Sequence, residues 1–461
     1  MAEHGTSPPP PPPPRRTSAR LLQPTLRILL VALMAPGCAN PWWSASPPAE
    51  AAEAAAATSV SPPPPQPEAT AAAGHPPGHM KPLGSHAPPE GDAWSLSAPP
   101  SASSFFRDFV SPGRPVLLRG AAARMPAYRR WCDDAYLSGR YGSLEVTVEL
   151  GRKENRSAGV YSSSLASFLR SFARDDVYAV CSLPAAMRPE VWPPPCLACG
   201  GLQRSLVDSV LWLSGGGTKS VLHYDSLDNV ICVLAGRKRF FLADREELAR
   251  LASGHADAAA AEDADEEEFL VGVDVDRVDM YRYPGLRRMR WYSATVDAGD
   301  CFFVPYKWLH QVNSDAGRSL AVNFWFVHLR WFNQTDCEKT PSSEGVPLSD
   351  YRMASTLELL RSRVLEDFEG RDVVTPGEMK EWLRARGQTN GSEILARLFQ
   401  ASDSDGDGAL SMEELYTAPA EMFASLLGVA GDTKTEGEPG PSPLHQASQP
   451  QAQQARTSDE L

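Results

Sequence analysis

Two short stretches decide the fold of this chain: Ser220-Val-Leu-His-Tyr-Asp225 and Phe303-Val-Pro-Tyr-Lys-Trp-Leu-His310. Both have the composition of short β-like segments, and they hold two imidazoles and one carboxylate: His223, Asp225 and His310. Residues i and i+2 of a strand point to the same side, so His223 and Asp225 can bind one ion. Two histidines and one carboxylate are typical of a non-haem Fe(II) site that keeps positions open for a cosubstrate and O₂. The two stretches therefore predict a β domain closed by an iron site.

The neighbouring sequence favours this interpretation over the simpler one, a histidine with a structural hydrogen bond. The segment Ser214-Gly-Gly-Gly-Thr-Lys-Ser220 precedes the pair, and glycines suit a loop that passes close to a ligand. On the strand that begins at Arg237, Lys238 shares a face with Phe240 and Leu242. A lysine on an apolar face is costly unless an anion compensates it, as a dicarboxylate cosubstrate does. An edge-strand lysine that hinders aggregation is the alternative.

From about Ser101 to Asn333 the chain resembles a JmjC-domain, cupin-fold Fe(II)/2-oxoglutarate-dependent oxygenase of the protein-hydroxylase branch. The resemblance implies a mainly β fold, a double-stranded β-helix (jelly roll) with flanking helices. The His-x-Asp…His motif of the family falls on His223, Asp225 and His310. Its cosubstrate-contacting positions fall on five further residues: Lys238, Ser220, Asn229, Asn323 and Tyr178. The resemblance implies that 2-oxoglutarate chelates the iron while Lys238 pairs with its far carboxylate.

A second metal site is predicted near the end of the chain. The run Asp403-Ser-Asp-Gly-Asp-Gly-Ala-Leu-Ser-Met-Glu-Glu414 matches a twelve-residue EF-hand loop, with Gly408 at the sharp turn. The Ca²⁺ ligands expected from this match are Asp403, Asp405, Asp407, Ala409 through its carbonyl, Ser411 through water, and Glu414 in bidentate fashion.

The predicted EF-hand has a degenerate partner upstream, which makes 350–430 a small α-helical domain. The partner loop runs from Asp367 to Glu378, with Arg371 at a ligand position and Asp372 in place of the turn glycine. We expect this half to fold and to pair with the other without binding Ca²⁺. The alignment places Val374 opposite Leu410 in the paired loops.

The two ends of the chain predict its compartment. A basic region precedes the apolar stretch Ile28–Ala35, and small residues follow, which is typical of a signal peptide over residues 1–39. The apolar stretch is too short to span a bilayer, so no membrane span is expected after signal cleavage. The chain ends in Ser458-Asp-Glu-Leu461, a variant of the address that the ER retrieval receptor reads. We therefore expect a protein of the endoplasmic reticulum lumen.

Sequons and cysteines fit the secretory route. Three sequons predict glycosylation at Asn155, Asn333 and Asn390. In an oxidising lumen, Cys196 and Cys199 are expected to bridge locally or to pair elsewhere, the candidates being Cys132, Cys181 and Cys337. Two further cysteines lie in apolar strand patterns and are expected to be buried thiols: Cys232 and Cys301.

Composition divides the rest of the chain. Residues 40–100 are rich in Ala, Pro and Ser and are expected to form a disordered linker before the oxygenase domain at 101–335. Residues 431–461 are expected to form a flexible tail. The acidic run Ala256–Glu268 is expected to be a solvated insertion, or alternatively a loop that attracts basic peptides. The net charge of −13 and the lack of a basic stripe argue against a nucleic-acid partner.

The sequence thus predicts a dioxygenase that hydroxylates protein substrates of the secretory pathway, using Fe(II) and 2-oxoglutarate, with a Ca²⁺-binding module. The alternative from another class is a catalytically inactive luminal calcium-binding protein whose cupin core binds partners. A histone demethylase conflicts with the signal and retrieval sequences. Iron-dependent succinate production separates the first two.

Overall fold

The structure is a computed structural model that describes residues 75–152, 160–252, 270, 272–339, 345–388 and 391–427. The predicted signal peptide, the acidic insertion and the C-terminal tail lie outside the described residues, as do the sequon residues Asn155 and Asn390. Within the described ranges, no helix has the length and apolarity that crossing a bilayer requires.

Two β-sheets form the larger part of the molecule. The nine-stranded sheet has the order β2-β3-β11-β8-β13-β7-β6-β4-β5, and the four-stranded sheet has the order β1-β10-β9-β12. The strands are β1 Gly91–Asp92, β2 Trp94–Leu96, β3 Val116–Leu118, β4 Glu145–Leu150, β5 Val160–Ser164, β6 Val177–Ser182, β7 Leu206–Gly216, β8 Asp228–Ala235, β9 Arg237–Ala243, β10 Tyr292–Asp297, β11 Cys301–Val304, β12 Leu309–Ser314 and β13 Ala316–Phe326, with β14 Val373–Val374 and β15 Leu410–Ser411 in a separate two-stranded pair.

Helices cover the sheets and form a second, C-terminal unit. They are α1 Ala102–Phe105, α2 Pro126–Arg130, α3 Asp134–Tyr141, α4 Leu165–Ser171, α5 Leu248–Ala252, α6 Gln334–Lys339, α7 Thr356–Glu366, α8 Pro376–Ala385, α9 Gly391–Ser402, α10 Met412–Thr417 and α11 Ala420–Leu426. Helices α1 to α4 pack on the outer face of the nine-stranded sheet, where Phe105, Trp131 and Phe168 join one core cluster with Leu213 and Phe324.

Side chains alternate between the two faces of each strand, which separates this outer core from an inner one. On β13, Val322 and Phe324 belong to the outer cluster, whereas Ala321 belongs to the inner cluster. The inner cluster joins both sheets, since Ile231 of β8 packs in it together with Phe240 of β9. The two sheets therefore face each other around a shared interior, as the predicted mainly β, cupin-like fold requires.

The expected linker over 40–100 is too long. Strand β1 pairs in parallel with β10, and β2 pairs in parallel with β3. Ahead of them, Leu83 is buried, and its backbone N–H donates to the carbonyl of Val275. Residues 75–100 are thus part of the fold, because even a Pro-rich segment can add backbone hydrogen bonds to sheet edges.

The cysteine pairing corrects one expectation and resolves another. Cys232 and Cys301, expected as buried thiols, are bonded to each other; they are register partners on β8 and β11. The second disulfide joins Cys199 to Cys337, one of the pairings left open, while Cys196 remains a buried thiol.

The C-terminal unit consists of two helix–loop–helix halves with one core. Strands β14 and β15 join the loops, and Val374 pairs with Leu410 as the alignment predicted. Each exiting helix starts with a capping box, Thr375 with Glu378 in the first half and Ser411 with Glu414 in the second. We refer to residues 356–426 as the helical module.

Candidate metal centre

The three predicted ligands meet at one point of the shared interior. One ligand atom from each of His223, Asp225 and His310 lies within 4.8 Å of the other two. The imidazole rings of His223 and His310 have centroids 4.2 Å apart, and Nε2 of His310 is 3.8 Å from Oδ2 of Asp225. His310 is almost fully buried, so this group of ligands is largely removed from water.

The segment that carries His223 and Asp225 is not a regular strand, contrary to our expectation. An isolated antiparallel bridge joins it to β12, with backbone hydrogen bonds in both directions between His223 and His310. A second bridge joins Lys219 to Asn313 further along. The segment thus follows β12 without forming a continuous ladder, and the bridge sets the first and third ligands side by side.

Backbone carbonyls fix the orientation of both imidazoles. Nδ1 of His223 lies 2.9 Å from the carbonyl of Val221, and Nδ1 of His310 lies 2.9 Å from that of Trp308. A carbonyl only accepts, so each Nδ1 carries the proton and each Nε2 keeps its lone pair for a metal. Such a second hydrogen bond on the ring is the usual arrangement of metal-binding histidines.

Lys238 lies inside the domain with no acid beside it. Its side chain is 3% exposed, and its Nζ donates to the hydroxyl of Ser314 at 3.1 Å. Burial lowers the pKa of Lys238 to about 8, and among the described residues no carboxylate forms an ion pair with it. Strand β9 runs between β10 and β12, so the edge-strand explanation of this lysine is wrong. A buried ammonium without a counter-ion fits a site whose anion is a ligand.

The register of β9 and β12 sets the spacing between the lysine and the metal ligands. Leu242 pairs with His310 and Lys238 pairs with Ser314, four positions further along. At the rise of a strand this is about 13 Å between the two levels. A lysine side chain and a short dicarboxylate placed end to end can span this distance. The residues present therefore fit Fe(II) at His310 and the far carboxylate of 2-oxoglutarate at Lys238.

The other predicted cosubstrate residues on the larger sheet face the same interior. Asn323 is buried, and its Oδ1 accepts from Nε1 of Trp212 at 3.2 Å. Asn229 is buried as well, and its Oδ1 has no hydrogen-bond partner among the described residues. Tyr178 packs its ring 5.7 Å from that of Trp212, on the same face. An unpaired oxygen at Asn229 marks a position where a ligand or water completes the hydrogen bonding.

Ser220 has a partner in the chain itself. Its hydroxyl accepts from the backbone N–H of Val312 at 2.9 Å and donates to the carbonyl of Val221. The hydroxyl that accepts from Lys238 is that of Ser314, which also accepts from the hydroxyl of Ser319 at 3.1 Å; neither serine was predicted. Alternation along β12 places Ser314 on the same face as His310, but only the register of β9 and β12 brings it beside Lys238.

A cleft opens between the N-terminal strands and the start of β10. Its volume is about 410 Å³, and aromatic and charged side chains line it, including Trp94, Arg114, Tyr292 and Trp308. Trp308, which lines the cleft, also orients His310 through its backbone carbonyl.

The predicted Ca²⁺ loop has a second group of ligands. Oxygens of Asp403, Asp405 and Glu414 come within 4.8 Å of one another, whereas Asp407 lies outside this group and accepts from the N–H of Ala409. Gly408 has the left-handed conformation (φ 84°) that the sixth loop position needs. Hydrogen bonds from Ser411 and Ser404 lower the pKa of Glu414 to about 2. The hydroxyl of Ser411 caps helix α10, in addition to its predicted role.

The upstream loop holds arginines where a cation would lie. Arg371 donates to Oε1 of Glu378 at 2.6 Å, and Arg386 donates to Oδ2 of Asp367. Both acidic ends of this loop are thus neutralised within the chain, as expected for a half that does not bind Ca²⁺.

The one described sequon has a structural role of its own. Oδ1 of Asn333 accepts from the N–H of Asp336 and from the hydroxyl of Thr335 at the start of α6. Asn333 therefore caps this helix with its side-chain oxygen.

Comparison with known proteins agrees with this architecture. A family model described as a cupin-like domain matches residues 102–330. Residues 102–330 are thus similar to a cupin-like domain, and relatives of the chain include proteins with a Jumonji C name.

Three relatives show what the chain is similar to. The Jumonji C domain-containing protein 5 of Drosophila melanogaster is 28% identical over 246 residues, 49% of this chain and 58% of that protein. The human bifunctional peptidase and (3S)-lysyl hydroxylase JMJD7 is 26% identical over 265 residues, 50% of this chain and 83% of that protein. The lysine-specific demethylase JMJ30 of Arabidopsis thaliana is 24% identical over 253 residues, 51% of this chain and 54% of that protein. The chain thus spans little more than half of the fly and plant relatives.

Proposed function

We propose that the protein is an Fe(II)- and 2-oxoglutarate-dependent dioxygenase that hydroxylates side chains of protein substrates in the lumen of the endoplasmic reticulum. The observation that carries the proposal is the combination of the triad with Lys238, a buried ammonium without an acid partner at the distance of a dicarboxylate. Bound iron and cosubstrate supply the activation of O₂ and the cleavage of a C–H bond.

The chain itself has four tasks in this reaction. His223, Asp225 and His310 hold the metal on one face, and the Nδ1 atoms of both imidazoles are engaged by backbone carbonyls. Lys238 and Ser314 bind the far carboxylate of the cosubstrate. The part-buried position of the ligands limits the access of water, and Oδ1 of Asn229 can accept a hydrogen bond from a bound ligand.

A peptide substrate is supported by the cleft that Trp308 lines. Its aromatic wall includes Trp94, which is 48% exposed, and carboxylates of Asp244 and Glu246 lie nearby. Arg114 and Arg290 line the same cleft, so its aromatic groups and charges of both signs suit a peptide without selecting the sign of its charge. The names of two relatives, a lysyl hydroxylase and a lysine-specific demethylase, agree with a substrate of this kind.

The luminal location is supported by the signal-like start, the Ser-Asp-Glu-Leu end and two disulfides. In this setting we assign one Ca²⁺ to the loop Asp403–Glu414, whose acidic side chains have no basic partner among the described residues. The alternative, an inactive luminal calcium-binding interaction protein, agrees with the same location.

Succinate release separates the enzyme from the inactive alternative. Purified protein is supplied with Fe(II), 2-oxoglutarate and luminal peptides, and succinate is measured beside Asp225→Ala and His223→Ala. We expect turnover by the unaltered chain and none by either variant. Mass spectrometry of luminal peptides, searched for the addition of one oxygen, identifies the substrate. No succinate from metal-loaded protein with any peptide pool would leave the interaction protein as the function.

A further inference from the structure

The turn between β11 and β12 connects the metal centre to the helical module. In this turn Lys307 has a left-handed backbone (φ 62°), a conformation that a lysine adopts only when its surroundings hold it there. Its N–H donates to the carbonyl of Asp225 at 2.9 Å. The preceding N–H, of Tyr306, donates to Oδ1 of the fully buried Asp228 at 2.7 Å. The turn therefore holds the backbone carbonyl of the predicted ligand Asp225 and the side chain of Asp228, three residues further along the chain.

The side chains of the same turn reach into the helical module. The hydroxyl of Tyr306 donates to Oε1 of Glu366 at 2.5 Å, and Nζ of Lys307 lies 2.8 Å from the same oxygen. Glu366 is the last residue of α7. The carboxylate of Glu366 thus binds the side chains of Tyr306 and Lys307, and the backbone N–H groups of the same two residues bond to Asp228 and Asp225.

This carboxylate stays ionised. Burial alone raises the pKa of Glu366, but hydrogen bonds from Lys307 and Tyr306 outweigh burial and lower the pKa to about 2. Glu366 is therefore a fixed negative charge facing the ammonium of Lys307 in a part-buried place, where salt screens the pair only weakly.

Further contacts fix α7 and its module against the oxygenase domain. The hydroxyl of Tyr416 accepts from the backbone N–H of Arg330, and Glu369 lies 3.5 Å from the guanidinium of Arg330. The ring of His328 stacks on that of Tyr306 at 4.9 Å, while its Nδ1 lies 2.8 Å from Oδ2 of Asp228. The module is thus held at several points around the same turn.

We propose that Glu366 is a positioning residue for the iron site: it holds the Tyr306–Lys307 turn in the conformation that supports the backbone of Asp225. This inference rests on the proposed function, since it assumes a metal at the triad. The helical module would then support the iron site, and this role does not depend on the Ca²⁺ predicted for the module.

The test measures metal affinity in the full chain. Co(II) replaces Fe(II), and its visible absorption bands report binding at the triad without any turnover. We compare the unaltered protein with Glu366→Gln and with Tyr306→Phe, which removes only the hydroxyl that donates to Glu366. Glu358→Gln is the matched control, because Glu358 lies on the same helix but bonds to Arg361 inside the module.

We expect Glu366→Gln to weaken Co(II) binding about tenfold, the lower end of the range for groups outside the ligand shell. Tyr306→Phe should weaken it less, and Glu358→Gln should leave it unchanged. Unaltered Ca²⁺ titration of Glu366→Gln shows that the module is folded. Equal Co(II) affinity in all four proteins overturns the inference alone. Absence of Co(II) binding at the triad of the unaltered protein overturns the proposed function and the inference together.

Discussion

The two candidate metal sites are built in opposite ways. The ligands of the triad come from two segments 85 residues apart in the chain. A β-bridge between His223 and His310 joins these segments, and the ligands lie in the interior. The Ca²⁺ loop takes all of its ligands from twelve consecutive residues at the surface, and two glycines with positive φ fold it. The first site therefore exists only when the sheets are assembled, whereas the second is largely defined by local sequence.

The largest expected effect separates the two sites completely. His310→Ala removes the ligand that the fold brings from the far segment, so we expect loss of metal at the triad and no iron-dependent turnover. Ca²⁺ binding by this variant should be unchanged. Asp403→Ala should show the reverse pattern for Ca²⁺. Metal analysis of both variants after dialysis measures the separation, and loss of both ions from either one would show that the sites are not independent.

Removing the buried lysine should have opposite effects on ligand affinity and on stability. Lys238→Met leaves the far carboxylate without its partner, which costs about 2 kcal/mol or more, roughly thirtyfold in Kd for 2-oxoglutarate. Without cosubstrate, the variant should melt at the same or a higher temperature, because it no longer buries an unpaired amine. Calorimetric titration and thermal melts check both. Lys219→Met serves as control, since Lys219 pairs with Asp274 and Asp276.

The same lysine predicts a pH dependence. Its pKa falls from 10.5 in the unfolded chain to about 8 in the ligand-free fold, so the unfolded state binds more protons between these values. Stability without cosubstrate should therefore rise as the pH increases from 8 towards 10.5. The affinity for 2-oxoglutarate should fall above pH 8, about tenfold per pH unit at first, because the neutral amine must take up a proton. Affinity that stays constant to pH 10 would argue against Lys238 as the partner.

The smallest effect is expected in the upstream loop. Its acidic ends already pair with Arg371 and Arg386, so Glu378→Gln should leave one Ca²⁺ per chain, as in the unaltered protein. Glu414→Gln, the matching change in the other loop, should weaken Ca²⁺ binding strongly, because it removes the bidentate ligand. Calorimetric titration of both variants compares the loops directly, and a second Ca²⁺ lost with Glu378 would show that the upstream half also binds.

The contrast between local and distant information also explains what the sequence could predict. Alternation along β9 placed Lys238 on the apolar face correctly, and the loop pairing of Val374 with Leu410 followed from a contiguous motif. The hydroxyl of Ser314 beside Lys238 and the bond between Cys232 and Cys301 depend on strand register. Register between distant strands is set by the whole assembly, so no local pattern contains it.

The segment Gly91–Leu96 has a practical consequence. Strand β1 extends the small sheet and β2 extends the large one, so these six residues tie the two layers of the barrel along one side. A recombinant fragment that begins at residue 101, the boundary that composition alone suggests, lacks β1 and β2 and leaves an unpaired edge strand in each sheet. Unpaired edge strands can pair between molecules, so we expect this fragment to be insoluble. A fragment that begins before residue 75 retains β1 and β2.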